Sequence, residues 1–257
     1  MFPNERLKRI CDLVNEKGSV RVTELSRLLN VSEVTVRRDL ELLARDNRLQ
    51  RTHGGAFSVQ PVGEEITAPE LIRSHRNVAE KRLIARLAYD MINDKDTLFM
   101  DGSSTVNELA KLIAQEDRKR LFIITPSLST VSALADCASV SVIMVNYRMG
   151  HVEGTLAVES IRNMRADKCF IGINGIDQSF GFSFPRLIEI DLKCGMMQAS
   201  RRSIVLADHT KFGRVYMARL NRDCDDVVTD TRIRDYDYRW LTERCTVHFA
   251  DESNKKE

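Results

Sequence analysis

Apolar residues recur every three or four positions at the start of the chain. That spacing predicts a helix over residues 4–17, with Leu7, Ile10, Cys11 and Val14 on one face and charges opposite. Gly18 ends the pattern. Ser19-Val20-Arg21-Val22 alternates and reads as a short strand. Leu25, Leu28 and Leu29, facing inward, restore helical spacing over Glu24 to Leu29, with Thr23 as N-cap. Asn30-Val31 makes a turn, and Ser32 caps a third helix, Glu33 to Arg45, that turns Val36, Leu40 and Leu43 inward. Arg48 to Arg51 and Ala56 to Val59 read as strands flanking a tight turn, Thr52-His53-Gly54-Gly55.

Pro61, Gly63, Pro69 and mixed charges mark residues 59–77 as a linker. Beyond residue 78, helical patterns alternate with short apolar runs. Helices are predicted at 79–92, 104–115, 127–137, 156–165 and 186–200. Strands are predicted at Thr97–Met100, Leu121–Thr125, Val140–Val145, Cys169–Ile173, Ser203–Ala207, Val227–Thr229 and Thr246–Phe249. Runs such as LFIIT and SIVLA, apolar throughout, imply a sheet covered on both faces by helices. The fold class is therefore α/β: a small winged helix-turn-helix domain at 3–58, its helix-turn-helix at about 20–39, then a larger domain at 78–250 with a mostly parallel sheet. The final DESNKKE reads as a disordered tail.

Net charge is +2, but its distribution is uneven. Residues 1–57 hold eleven Lys/Arg and eight Asp/Glu, whereas the rest hold 28 and 29, so the positive excess lies in the first fifth of the chain. That suits a polyanion partner. No apolar run reaches the ~20 residues of a membrane helix, and the start lacks a signal-peptide core. A cytoplasmic protein without a membrane partner is expected. The cysteines, Cys11, Cys137, Cys169, Cys194, Cys224 and Cys245, show no metal-binding spacing and read as reduced, mostly buried residues. No metal or cofactor is expected.

Residues 23–45 supply the two helices and tight turn that major-groove reading needs. On a helical wheel Val34, Thr35, Arg37, Arg38, Glu41 and Arg45 fall outward or at the edges. Arg38, central on that face, suits guanine O6 and N7; Thr35 suits a thymine methyl or a phosphate, Val34 suits a methyl, and Arg37 suits phosphate. Arg51 and His53 on the wing would reach phosphate or the minor groove. Thr23, Ser32 and Glu33 complete the candidate DNA-binding set. The competing reading of the Arg37-Arg38 pair is a solvated helix face, with Asp39 paired to a neighbouring Arg.

The stretch VTELSRLLNVSEVTVRRDLELLARDNRLQRTHGGA resembles the DNA-binding domain of the DeoR family of bacterial repressors. Both halves of the family signature are present, V-S-x-x-T-[IV]-R-R-D-L at Val31 to Leu40 and L-x-R-x-H-G-G-A at Leu49 to Ala56. Asn47 stands where members often carry Gly. The resemblance continues through Glu80-Lys81, Ile84-Ala85, LFMD with Gly102-Ser103-Ser104-Thr105, ADKCFIGINGID, LADHTKFG and DDVVTD. It implies a sensor domain similar in fold to ribose-5-phosphate isomerase and the CoA-transferases. It also implies a metabolite effector, commonly a phosphorylated sugar, that releases the repressor from DNA.

Local chemistry fits such a ligand. Asp101 ends a strand, and Gly102, Ser103, Ser104 and Thr105 open a helix whose amides and hydroxyls suit phosphate. Thr125-Pro126-Ser127 forms a second strand-end turn. Asn174, Gly175, Glu189, Lys193, Asp208 and Lys211 are expected to complete the pocket, the lysines for an anion and the carboxylates for sugar hydroxyls. The family often has T-N-S at 125–127 and Gly-Gly where this chain has Asn146-Tyr147, and both departures bear on the effector's identity. Phe180 to Phe184 fits core packing, a pocket lid or an oligomer contact.

The expected function is a repressor of a carbohydrate operon, a dimer or tetramer on double-stranded operator DNA, and not an enzyme. The alternatives are a sugar-phosphate isomerase-like enzyme and a DNA-binding protein without a ligand.

Overall fold

A computed structural model describes residues 3–17, 19–45, 48–51, 54–57, 73–145, 159–235 and 238–252. The chain forms two units, Met1–Thr67 and Ala68–Glu257.

The first unit runs α1 (Pro3–Lys17), β1 (Ser19–Arg21), α2 (Val22–Leu29), α3 (Glu33–Arg45), β2 (Gln50–Arg51) and β3 (Gly55–Phe57). Ile10 and Val14 of α1, Leu25 of α2 and Val36, Leu40 and Leu43 of α3 form one core. The strands make an antiparallel sheet in the order β1-β3-β2. Gly55 is required where β3 crosses β1, because a Cβ there would lie 2.2 Å from the Val20 carbonyl oxygen. The expected strand residues Ser58 and Val59, and the Thr52-His53 part of the turn, lie outside the described residues.

Two local expectations are corrected. Helix α2 starts at Val22, directly after β1, with Arg21 as its N-cap and no side-chain cap bond, so Thr23 sits inside the first turn instead of capping it. Leu28, expected inside, is exposed, and the core takes only Leu25 and Leu29 from this stripe. The turn between α2 and α3 holds. Asn30 adopts a left-handed conformation (φ 52°), the Val31 amide donates to Ser26 O at 3.2 Å, and the Ser26 hydroxyl donates to Val31 O at 2.6 Å.

The second unit adds α4 (Val78–Asp90), β4 (Thr97–Met100), α5 (Ser104–Glu116), β5 (Leu121–Thr125), α6 (Leu128–Leu134), β6 (Val140–Met144), β7 (Ala166–Gly172), β8 (Gly175–Asp177) and β9 (Gly181–Phe184). It continues with α7 (Leu187–Gln198), β10 (Ser200–Leu206), a 3-10 turn His209–Lys211, β11 (Ala218–Arg219), β12 (Asp226–Asp230), α8 (Arg239–Thr242) and β13 (Thr246–Ala250). Seven strands form a parallel sheet in the order β13-β12-β10-β7-β4-β5-β6. Side chains alternate across it. Phe99, Cys169, Ile171, Val205 and Val227 enter a core closed by α7 and β9. Leu98, Met100, Phe170, Ile204, Leu206 and Val228 enter a second core closed by α4 and α5.

The small antiparallel sheet β11-β9-β8 was not anticipated. Its hairpin turn is tied by Asp177 Oδ1, which accepts from the Ser179 amide, the Ser179 hydroxyl and the Phe180 amide at 2.9, 2.6 and 3.1 Å. Phe182 and Phe184 pack in the core, whereas Phe180 is half-buried with Arg219 5.9 Å from its ring. Helix 127–137 is shorter than expected, with Ser127 as its N-cap. Of the expected 156–165 helix, residues 159–162 are helical and residues before 159 lie outside the described set, as do Asn47 and Asn146-Tyr147. No described helix is long and apolar enough to cross a membrane.

Candidate DNA-reading surface and effector site

Helix α3 presents its N-terminal end to solvent. Ser32 caps it by accepting from the Thr35 amide at 3.2 Å, and its hydroxyl lies 2.9 Å from the Thr35 hydroxyl. Such a cap contributes about 1 kcal/mol and points both hydroxyls out from the helix start. Val34 is 76% exposed, unusual for an apolar side chain at a helix start. Arg37 and Arg38 are both exposed. Arg37 lies 3.6 Å from Glu33 one turn back, whereas Arg38 has no hydrogen-bond or ion-pair partner among the described residues. Thr23 is exposed near the start of α2. Arg51 pairs with Ala56 through the wing backbone. The Arg51 side chain and His53 lie outside the described residues.

Asp39 does not face this surface. It is buried and takes a two-pronged grip from Arg6 of α1, Nε to Oδ2 at 2.6 Å and Nη2 to Oδ1 at 3.1 Å. The partner is thus 33 residues away and not a neighbouring Arg.

In the second unit the strand order reverses at β4. Strands β5 and β6 extend one way from it, while β7, β10, β12 and β13 extend the other. Ligands of open parallel sheets gather in the crevice at such a reversal, beyond the carboxyl ends of the strands. The reversal places Asp101-Gly102-Ser103 beside Gly172-Ile173-Asn174, with Thr125-Pro126-Ser127 on one side and Asp208 on the other. Most of the expected pocket residues thus share one edge of the sheet.

Many of their polar atoms are already engaged. Asp101 is buried; Oδ1 accepts from the Ser103 amide at 2.9 Å and Oδ2 from the Gly172 amide at 2.9 Å, and Oδ2 also pairs with Lys193. Lys193 donates to Gly172 O at 3.1 Å and lies 4.8 Å from the Phe184 ring. The pair therefore fastens α7 to the ends of β4 and β7. Ser103 caps α5 by accepting from Val106 N. A Cβ at Gly172 would sit 2.2 Å from Ser103 Oγ, so only glycine lets the two strand ends meet. Ser104 and Thr105 are buried. Thr125 Oγ1 accepts from the Ser127 amide at 3.1 Å, and Ser127 in turn caps α6. Gly175 packs where a Cβ would lie 2.4 Å from Arg214 O, and Asn174 is buried beside it. Glu189 is drawn to Arg186 at 2.7 Å.

Alternation along the strands sends Asp101 to the α7 face and Asp208 to the α4 face. Asp208 Oδ1 accepts from the Thr210 amide at 3.0 Å, from the Thr210 hydroxyl, and from Asn77 Nδ2 at 3.2 Å. Burial would raise its carboxyl, but Lys211, the Thr210 bonds and Lys81 together hold it below the usual range.

Lys81 lies in the Glu80-Lys81 motif, outside the expected site residues. It is 3% exposed, and Nζ donates to Arg73 O at 2.5 Å and Arg76 O at 2.7 Å. Burial pushes its ammonium down to about 8, against the pull of Asp208 and Glu108, with Lys211 and Arg73 adding repulsion. Its position on an amphipathic helix gave no sign of burial; residues 73–77, folded over it, create that.

Residues 6–62 match the DeoR-like helix-turn-helix domain and residues 76–231 the DeoR C terminal sensor domain. The HTH-type transcriptional regulator GolR of Listeria innocua is 33% identical over 239 residues, 91% of this chain and 92% of that protein. The lactose phosphotransferase system repressor of Staphylococcus aureus is 34% identical over 221 residues, 83% of this chain and 86% of that protein. Ribose 5-phosphate isomerase A from Neisseria gonorrhoeae aligns at 14% identity and a TM-score of 0.40 over 63% of this chain and 64% of its own, too distant a likeness to carry an argument. With both domains matched and relatives at one-third identity along most of its length, the chain belongs to the DeoR family of DNA-binding transcriptional regulators.

Proposed function

We propose that the chain represses a carbohydrate uptake or breakdown operon in the cytoplasm and leaves its operator when a phosphorylated sugar binds the second domain. The observation that carries this is the charge at one corner of the carboxyl edge. Lys211, Arg73 and Asp208 all act on Lys81, which is buried there at the cost of a lowered pKa. A buried ammonium with further positive charge beside it favours an anion. The hydroxyl-rich turns at Gly102–Thr105 and Thr125–Ser127 and the buried Asn174 supply neutral partners for a sugar phosphate. The relative named as a lactose phosphotransferase system repressor supports a sugar-linked effector. The relatives are transcriptional regulators, which favours binding without turnover.

On the DNA side, Arg38, Val34 and Thr35 read bases. Arg37, Thr23, Ser32 and the wing residues Arg51 and His53 hold the backbone, with Glu33 orienting Arg37. One such helix reads few base pairs, so a homo-oligomer on a symmetric operator supplies the rest. The test is retention of labelled operator in the presence of sugar phosphates and of the parent sugars. Release by a phosphorylated sugar alone is expected; indifference to every phosphate would overturn the effector assignment.

A further inference from the structure

Residues 73–77 close the linker side of the second unit, and two side chains fasten them to the carboxyl edge. Asn77 bends the chain into α4 with a left-handed backbone, φ 51°. Its side-chain amide donates to Asp208 Oδ1 at 3.2 Å and Thr210 Oγ1 at 3.4 Å. One turn into α4, Lys81 donates to the carbonyls of Arg73 and Arg76. The turn is also closed by its own backbone, Arg76 N to Arg73 O at 3.3 Å and Lys81 N to Asn77 O at 3.0 Å. The first described turn of the second unit is therefore held by the same Asp208 and Lys81 that mark the candidate anion corner.

We propose that Asn77 is a positioning residue that couples this corner to the linker. With the corner empty, the Asn77–Asp208 and Lys81–carbonyl bonds fix residues 73–77 in the arrangement that binds operator. An anion that draws Lys81 and Asp208 to itself loosens both holds, and operator affinity falls. This rests on the effector reading given above, but the bonds that carry it can be tested without any effector.

The experiment is a double-mutant cycle in the full chain, N77G and K81M, on a duplex that the wild-type protein selects from a random pool. Glycine tolerates the left-handed backbone while removing the amide, and methionine keeps the length of lysine without its charge. Each variant alone is expected to lower operator affinity about ten-fold with no sugar present, in the range of ordinary coupling. The pair should lower it little further, since both act on one turn. Singles within two-fold of wild type, or effects that multiply, would overturn the coupling.

Should K81M fail to fold, hydrogen exchange gives a second readout. Saturating inorganic phosphate should speed exchange of amides 73–77 in wild type and do so less in N77G, since there one of the two holds is already lost. An equal, measurable acceleration in both proteins overturns the proposal. If calorimetry detects no phosphate binding while the cycle behaves as stated, the effector reading fails and the coupling stands.

Discussion

Arg6 and Asp39 join α1 to α3 through a two-pronged ion pair with Nε to Oδ2 at 2.6 Å, the Asp39 side chain only 7% exposed. The carboxylate inside the Arg37-Arg38-Asp39-Leu40 motif is therefore an internal staple that sets the pitch of the DNA-facing helix, while the two arginines face out. Removing one partner strands the other charge. Asp39→Ala is expected to destabilise the first domain by about 3 kcal/mol. Calorimetric unfolding of the full chain checks this; an unshifted first transition would contradict it.

Arg38 and Arg37 should differ in kind. Arg38→Ala is expected to cost about 1–3 kcal/mol on the preferred operator and little on random duplex. Arg37→Ala should weaken both alike and lower the salt slope of binding by about one. Salt titrations on both duplexes separate the two; the same profile for both variants would contradict the assignment.

How much of this was legible in the sequence varied with the source of each feature. Strands β4 and β5 were read with their ends, and α1 and α3 within a residue, because a buried stripe or a wholly apolar run is a local signal. The hairpin β8–β9 was not, since both its faces are covered and it shows no alternation. Lys193 was named as an anion ligand, yet its partner is Asp101, 92 residues away, a pairing that only tertiary structure brings about. Lys81 was passed over for the same reason. Thr23 was misplaced because a strand feeds α2 directly and leaves no room for a capping turn.

Gly172 and Ser103 offer a test of the strand reversal. Gly172→Ala places a methyl 2.2 Å from Ser103 Oγ and 2.3 Å from its Cβ, so the turn into α5 must shift. Overpacking of this kind costs about 1–3 kcal/mol. G172A should blunt the sugar-phosphate response while leaving operator affinity in place, and S103G in the same protein should recover part of the stability. Thermal unfolding of the single and double variants checks the steric account; no recovery would contradict it. Ser104→Ala, within the same turn, should also weaken release more than DNA binding.

Lys81 gives the effector response a pH dependence. Its ammonium lies at about 8 in the folded protein, below the ordinary 10.5, so between those values the unfolded chain binds more protons. Its unfavourable contribution to stability is therefore fully present below pH 8 and fades as pH rises toward 10.5. A bound anion raises the ammonium again, so binding takes up a proton near pH 8 and affinity falls as pH rises through 8. Calorimetry in buffers of different ionisation enthalpy measures that uptake; proton release on binding would contradict it.

The most direct test is anisotropy of labelled operator bound to the full chain, titrated with sugar phosphates and with their unphosphorylated parents. At least one sugar phosphate should release the operator, its parent sugar should not, and K81M should abolish the phosphate response. Equal release by phosphorylated and parent sugars, or a K81M protein that responds like wild type, would contradict an anion-triggered regulator.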